Sequence, residues 1–263
     1  MKLRVPLSHE LPHYRRSHER YALNVATLAQ LVSESNEYPT MVDIGANVGD
    51  TAAIARSGAP GLPILCIEGD PAFAALLTYN LAEWPDVKIH APCVLAEGSG
   101  VIAGHLESRR GTAKFHAEGR PGVSVSSLDD VLDRYPGFSS PALIKSDTDG
   151  FEARVVAGAA RTLERAHPVL FLEYDPRLLS ACGSDGLELL GRLRKHEYGS
   201  VVVYDNFGDV LCLADIHNVR LFEDLHRYAS RRPFFYFDLA VFPLDRPRDA
   251  QELYRRETTR STP

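Results

Sequence analysis

Residues Met41–Thr51 read MVDIGANVGDT: a short apolar run holding Asp43, then a turn with Gly45 and Gly49, then the start of a helical pattern. Glycine at those two places lets the backbone approach a ligand closely, because a side chain there would occupy the ligand's space. A dinucleotide fingerprint needs G-x-G-x-x-G, so that a pyrophosphate can sit on the helix N-terminus, and this turn lacks that spacing. An acid on the strand followed by G-x-x-x-G suits instead a ligand with an ammonium and a sulfonium and no phosphate. In an open α/β sheet such a turn lies at the carboxyl ends of the strands, where ligands bind. Glu68, at the end of the next apolar run LPILCIEGD, stands about 20 residues on, where an acid reaches ribose hydroxyls.

Outward from this turn, short apolar runs alternate with helical patterns: TAAIARSG, PAFAALLTYNLAEW, VKIHAPCVLA, SLDDVLDRY, ALIKSD, GFEARVVAGAARTLERA and PVLFLEY. The alternation predicts βαβ units and a parallel sheet covered on both faces. Asp70 before Pro71 is an N-cap with proline at the first helical position, and Ser127 with Asp130 resembles a capping box. After Tyr174, VVVY, the turn DNFGD and VLCLAD read as a hairpin, followed by FFYFDLAVFP, which places antiparallel strands at one edge. The expected fold is a Rossmann-like α/β domain: a mostly parallel, twisted seven-stranded sheet with an antiparallel edge and helices on both faces. Its expected span is residues 39–245. Residues 1–38, with Tyr21, Val25, Leu28 and Val32 at helical spacing, are a helical extension serving as lid or prop, and 246–263 a polar, frayed tail.

Composition narrows the function. The chain has 263 residues, 44% of them hydrophobic and 24% charged, enough for one ordinary core. A formal charge of -6 gives no electrostatic footprint for nucleic acid. The basic run through His13, Arg15, Arg16, His18 and Arg20 is short and interrupted, a solvated face. No apolar run approaches a spanning helix of about 18 residues, so no membrane partner is expected and the chain reads as cytoplasmic. Cys66, Cys93, Cys182 and Cys212 are scattered outside any C-x-x-C spacing and read as free thiols rather than a disulfide or zinc framework. His90, His105, His116, His167, His217 and His226 form no H-x-x-x-H pair.

The segments VDIGANVGDT, CIEGDP, SSLDDVL and LIKSDTDGFEARVVAGAARTLERAHPVLFLEY together resemble the FkbM family of S-adenosylmethionine (SAM)-dependent methyltransferases, over residues 38–174. The resemblance implies SAM as cofactor, with Asp43, Gly45, Asn47 and Gly49 lining its methionine end and Glu68 holding the ribose. Ala46, Asp50, Gly69 and Asp147 complete the expected cofactor set. Two departures stand out. Family members usually read K-I-D-V-E-G where this chain has Lys145, Ser146, Asp147, Thr148, Asp149 and Gly150, and F-E-P where it has Ile67, Glu68 and Gly69.

Methyl transfer asks the protein to align the reacting atoms, exclude water and, for a hydroxyl or ammonium acceptor, take a proton. Acids at strand ends are the candidate bases. Asp147 ranks first, with Asp149 and Glu173 beside it. Asp149 reads equally as a helix N-cap, Glu152 as a complement to the helix dipole, and Glu173 as a buried structural acid. Lys145 shares a strand face with Asp147 and either depresses its pKa or pairs with it structurally. The polar stretch Glu107–Gly122, with Arg109, Arg110, Lys114, His116 and Arg120, reads either as a surface loop or as a contact for an anionic or sugar-like acceptor.

The expected function is O-methylation of a small molecule, a sugar or secondary-metabolite hydroxyl, with N-methylation of an amino sugar as the alternative. A nicotinamide-dependent oxidoreductase is disfavoured by the missing G-x-G-x-x-G. A glycosyltransferase reading of Asp147, Thr148, Asp149 as D-x-D leaves the cofactor turn unexplained. A non-catalytic SAM-binding module stays open. No metal is expected, and homo-oligomerisation is left open.

Overall fold

The apolar runs become strands and the amphipathic runs between them become helices. The computed structural model describes residues 2–109, 111–116 and 122–259. Its main sheet has eight strands: β1 (Met41–Ile44), β2 (Ile64–Ile67), β3 (Val87–His90), β4 (Leu143–Ser146), β5 (Val169–Tyr174), β6 (Tyr198–Asp205), β7 (Val210–Asp215) and β8 (Phe237–Pro243). Their order is β7-β6-β8-β5-β4-β1-β2-β3. The five strands from β3 to β5 are parallel, whereas β8 runs antiparallel to both β5 and β6. The strand order reverses direction between β1 and β4, so a crevice opens at their carboxyl ends.

The sheet has eight strands rather than the expected seven, with β7 lying antiparallel on β6 at the edge where the hairpin was expected. The hairpin turn is held as its residues suggest, with Asp205 Oδ1 accepting from the backbone of Phe207 and Asp209. Two small sheets, unforeseen in the sequence, lie between β3 and β4; one is a ribbon of His105–Arg109 against Thr112–His116. Both predicted caps form: Asp70 accepts from Ala72 and Phe73 backbone N–H, and Ser127 from Asp130. The four cysteines are free.

Side chains alternate across the sheet, giving two cores. On one face Val42, Ile44, Leu65, Ile67, Ile144 and Leu172 pack with helix residues such as Leu128, Val155 and Leu193. On the other, Met41, Ile64, Leu143, Phe171 and Ala240 meet the helices Leu23–Ser35, Asp50–Gly58 and Pro247–Thr259. Leu23–Ser35 buries Val25, Leu28, Leu31 and Val32 in this second core, where it packs beside the helices Asp50–Gly58 and Pro247–Thr259. Leu28→Ala leaves a cavity at a position with no exposure and is expected to cost about 3 kcal/mol. Thermal unfolding followed by circular dichroism should show a midpoint roughly 6–12 °C lower.

The expected frayed tail is instead a 13-residue helix, Pro247–Thr259. Ala250, Leu253 and Glu257 recur on one helical face and are buried. Arg20 Nη2 lies 3.3 Å from Glu257 Oε2, tying the chain's two ends together.

Candidate active site

The turn after β1 is shaped by what lies against it. Gly45 has a φ of +72°, and a Cβ there would lie 1.8 Å from the Asp147 carbonyl oxygen. Any side chain would therefore drive β1 and β4 apart. Gly45 and Ala46 N–H both donate to Ile67 O, at 3.0 and 3.1 Å. Gly49 is the N-cap of the helix Asp50–Gly58, which sets Asp50 in its first turn. Glu68, 5% exposed, accepts from Asn47 N–H on one oxygen and from Asp70 N–H on the other, each at 2.7 Å. Burial raises its pKa, and those two N–H bonds oppose the rise. At Gly69, where family members carry proline, a Cβ would lie 2.9 Å from Val94 Cγ2, so Val94 fills the space the ring would need.

One row of side chains crosses the carboxyl ends of the strands. Register pairs Asp43 on β1 with Lys145 on β4, and Phe171 on β5 with Lys145. The β4–β5 register ends at Ser146 opposite Leu172, so Asp147 and Glu173 follow directly on from it, and Glu173 is paired with Asp238 on β8. Lys145, almost fully buried, has its Nζ 3.4 Å from both Asp43 Oδ1 and Asp147 Oδ2. It also donates to Gly45 O at 3.4 Å. Burial alone would lower its pKa, but Asp147, Asp43 and Asp50 more than reverse that, so it stays a cation. Lys145 is thus a structural partner of two acids at once.

Asp43 has no exposed surface, and neither of its carboxylate oxygens has a hydrogen-bond partner beyond the ion pair with Lys145. Glu173 is 7% exposed and its Oε2 is likewise unpartnered. Burial, then Asp147, raise the Glu173 pKa far above the usual carboxylate range. Asp149 is not a helix N-cap: the helix Glu152–Ala157 is capped at Phe151, and Asp149 sits in a turn at φ +52°. Its pKa is pushed up to about 7 by burial and by Asp147, while Lys114 lowers it. The buried Glu152 does not merely complement the helix dipole. Its Oε1 accepts from Thr148 N–H and Oγ1, at 2.7 and 2.6 Å, and fixes the turn that carries Asp147 and Asp149.

Two segments lie against the turn after β1. The stretch before the helix Leu23–Ser35 lays His9 Nε2 3.2 Å from Asn47 Oδ1 and packs Leu11 on Val48 and Phe73. The ribbon turn brings Gly111 O to Asn47 Nδ2 at 2.7 Å, and Phe115 meets Phe151 edge-on. Ser108 Oγ donates to Asp70, the cap of the next helix. Within the stretch expected as a surface loop or an acceptor contact, Gly111 is thus bound to the turn after β1. Arg110 and Arg120 fall outside the described residues.

Sequence reasoning missed Asp238, Tyr236, Tyr21 and His9. Burial raises the Tyr21 pKa, as do Asp147, Asp50 and Asp238. Asp238 carried a signal, a lone acid inside the apolar run FFYFDLAVFP. The contact of His9 with a turn 38 residues away carried none. Among the described residues no three His, Cys, Asp or Glu side chains are arranged to hold a metal ion, and no helix is long and apolar enough to cross a membrane.

This sheet order, with a glycine turn after the first strand and an acid ending the second, is that of a Rossmann-like α/β domain. Residues 43–200, more than half of the chain, match the methyltransferase FkbM domain, and the chain belongs to that family. It is similar to a solved FkbM methyltransferase from Methylobacillus flagellatus KT, at 22% identity and a TM-score of 0.42. That match covers 62% of this chain and 40% of the other, so the chain spans well under two thirds of that protein's length. It is also similar to a geranyl diphosphate methyltransferase solved with SAM, at 12% identity, a TM-score of 0.46 and 84% coverage of each chain. An O-methyltransferase from Bacillus cereus solved with S-adenosylhomocysteine (SAH) is 14% identical, covering 82% of this chain and 80% of that one, with a TM-score of 0.42. None of the curated proteins matches the chain.

Proposed function

We propose that the protein methylates a hydroxyl of a small polar acceptor, a sugar or a hydroxylated secondary metabolite, with Glu173 and Asp147 beside the reacting oxygen. The carrying observation is Glu173 itself: nine-tenths buried, with an unpartnered oxygen at the carboxyl end of β5. SAM supplies a methyl group on a sulfonium, whose sulfur departs with the bonding electrons.

The residues fit that cofactor. The bare Gly45 leaves the backbone open above β1, and the rigidly held Glu68 carboxylate keeps lone pairs for ribose hydroxyls. The charge of Asp43, offset only by Lys145, suits a cationic methionine end. Asn47, Gly49, Asp50, Gly69 and Asp147 line the remainder. The acceptor hydroxyl loses its proton to a carboxylate as the new C–O bond forms, and a buried carboxylate with a raised pKa is a stronger base than an exposed one. The excess of acids over Lys145 in the row also favours a second reading, an amine acceptor bound as its ammonium and methylated on nitrogen.

Titration calorimetry with SAM and with NAD(H) tests the cofactor reading. Micromolar SAM binding is expected, together with no NAD(H) binding. Glu68→Ala should weaken SAM by about 100-fold, the worth of one strong charge-assisted contact, and Asp43→Ala should weaken it as well. Tight NAD(H) binding, or SAM binding indifferent to both substitutions, overturns the reading. Paired hydroxy and amino sugars, screened by product mass, separate O- from N-methylation.

A further inference from the structure

Residues 4–21 put no buried side chain into either core of the sheet. Val5, Leu11 and Tyr21 pack instead in a small third cluster with Val48, Phe73, Leu76 and Ala113. The segment is fastened at two ends. At the first, Leu11 N–H donates to His9 Nδ1 at 3.1 Å, so Nε2 carries the ring proton and donates to Asn47 Oδ1 at 3.2 Å. Asn80 backs this end, accepting from Arg4 N–H and donating to Arg4 O and Val48 O. At the second, His18 stacks on Phe207 with ring centroids 3.9 Å apart, and Arg20 Nε lies 3.4 Å from Asp209 Oδ1.

Both fastenings stand at one edge of the sheet. Asn47 follows β1, and Phe207 and Asp209 lie in the turn after β6, which runs in the same direction as β5 because β8 is antiparallel to both. Between β1 and β6 stand β4, β5 and β8, with Asp147, Glu173 and Asp238 at this edge. Four strand spacings amount to about 19 Å. From His9 to His18 the helix Leu11–Ser17 and its three flanking steps reach about 19 Å as well. The segment has no slack for a detour and crosses the crevice beside β1. It is also weakly held there. Leu11 is the one buried residue of that helix, and residues 12–17 are exposed. A seven-residue helix with so little burial has low local stability. Ala22, where the segment joins the helix Leu23–Ser35, has a left-handed φ of +59°, a conformation that non-glycine residues adopt only when held in it.

Resting on the cofactor reading, we infer that residues 4–21 are a strap across the mouth of the site, latched by His9 on Asn47 and by His18 on Phe207, which swings about Ala22 to admit SAM and release SAH. Lifting it breaks the two latches and the small third cluster and leaves both main cores intact, so it opens as a unit without unfolding the domain.

Association and dissociation rates of SAM, measured by surface plasmon resonance on the full chain, test this. His9→Ala and Phe207→Ala loosen opposite ends of the strap, and Phe207 sits four strands from Asn47. Each should raise both rates by about fivefold, the scale of one hydrogen bond or ring contact, and leave Kd within about twofold. Trypsin should cut after Arg15 or Arg16, in the exposed helix, faster by the same factor, because cleavage needs the strap lifted. Unchanged exchange rates in both variants overturn the inference, as does faster cutting without faster exchange. If only His9→Ala alters exchange, His9 acts locally on Asn47 and there is no strap. Faster dissociation alone, with affinity lost in proportion, marks a side chain that holds the ligand and is equally fatal. Failure of the cofactor reading looks different: the unsubstituted protein then binds no SAM at all.

Discussion

Lys145→Met is expected to lower stability by about 3 kcal/mol at neutral pH, because removing one partner of a buried ion pair leaves the other uncompensated. The partner most affected is Asp43, which has no exposed surface and no hydrogen bond to fall back on. Asp147 is half-exposed and water screens it, so it adds little. Burial already raises the Asp43 pKa and Lys145 opposes that rise; without the lysine the folded-state value climbs further above the unfolded one. A carboxyl with a raised folded pKa favours the native state below its unfolded pKa and loses that contribution as pH rises through the folded value. The defect should therefore be largest at about pH 8 and shrink toward about pH 5, which denaturant melts at the two pH values will show. Lys145→Met with Asp43→Asn should recover most of the loss, since both charges are then gone. A single variant whose deficit is unchanged between the two pH values would show that lost packing, not the orphaned acid, is responsible.

How much of this could be read from the sequence depended on how local the determinant is. The Met41–Thr51 turn, the caps at Asp70 and Ser127, and the face shared by Lys145 and Asp147 are all set within a few residues, and the strand-then-turn pattern exposes them. Asp238 escaped because its meaning lies in the partner of β8. That strand inserts between β5 and β6, and nothing in FFYFDLAVFP says that Glu173 will stand opposite. Pro247–Thr259 was misread because its charges dominate the composition, although Ala250, Leu253 and Glu257 mark one buried face. The grip of His9 and Gly111 on Asn47 joins three segments distant in sequence, and only the folded chain brings them together.

Gly45→Ala is the sharper test of the cofactor turn, with an expected loss in SAM affinity of at least about 100-fold, or some 2.7 kcal/mol. Two effects combine. A left-handed φ costs a non-glycine residue about 1 kcal/mol, and the new Cβ cannot coexist with the Asp147 carbonyl oxygen 1.8 Å away. The second effect is the larger, because the oxygen belongs to backbone and cannot rotate aside. Relief requires β1 and β4 to separate at their ends, where Asp147 N–H donates to Ile44 O at 3.1 Å, and shifts Gly45, whose N–H donates to Ile67 O on β2 at 3.0 Å. Those bonds set the floor of the site and the spacing of Lys145 from its two acids. Gly61→Ala separates the contributions: Gly61 also has a positive φ, +82°, but nothing lies within 4 Å of its Cβ position. It should lose about 1 kcal/mol in a denaturant melt and bind SAM as the unsubstituted protein does. If Gly45→Ala behaves like Gly61→Ala in calorimetry, the close approach of β1 and β4 is not what shapes the cofactor turn.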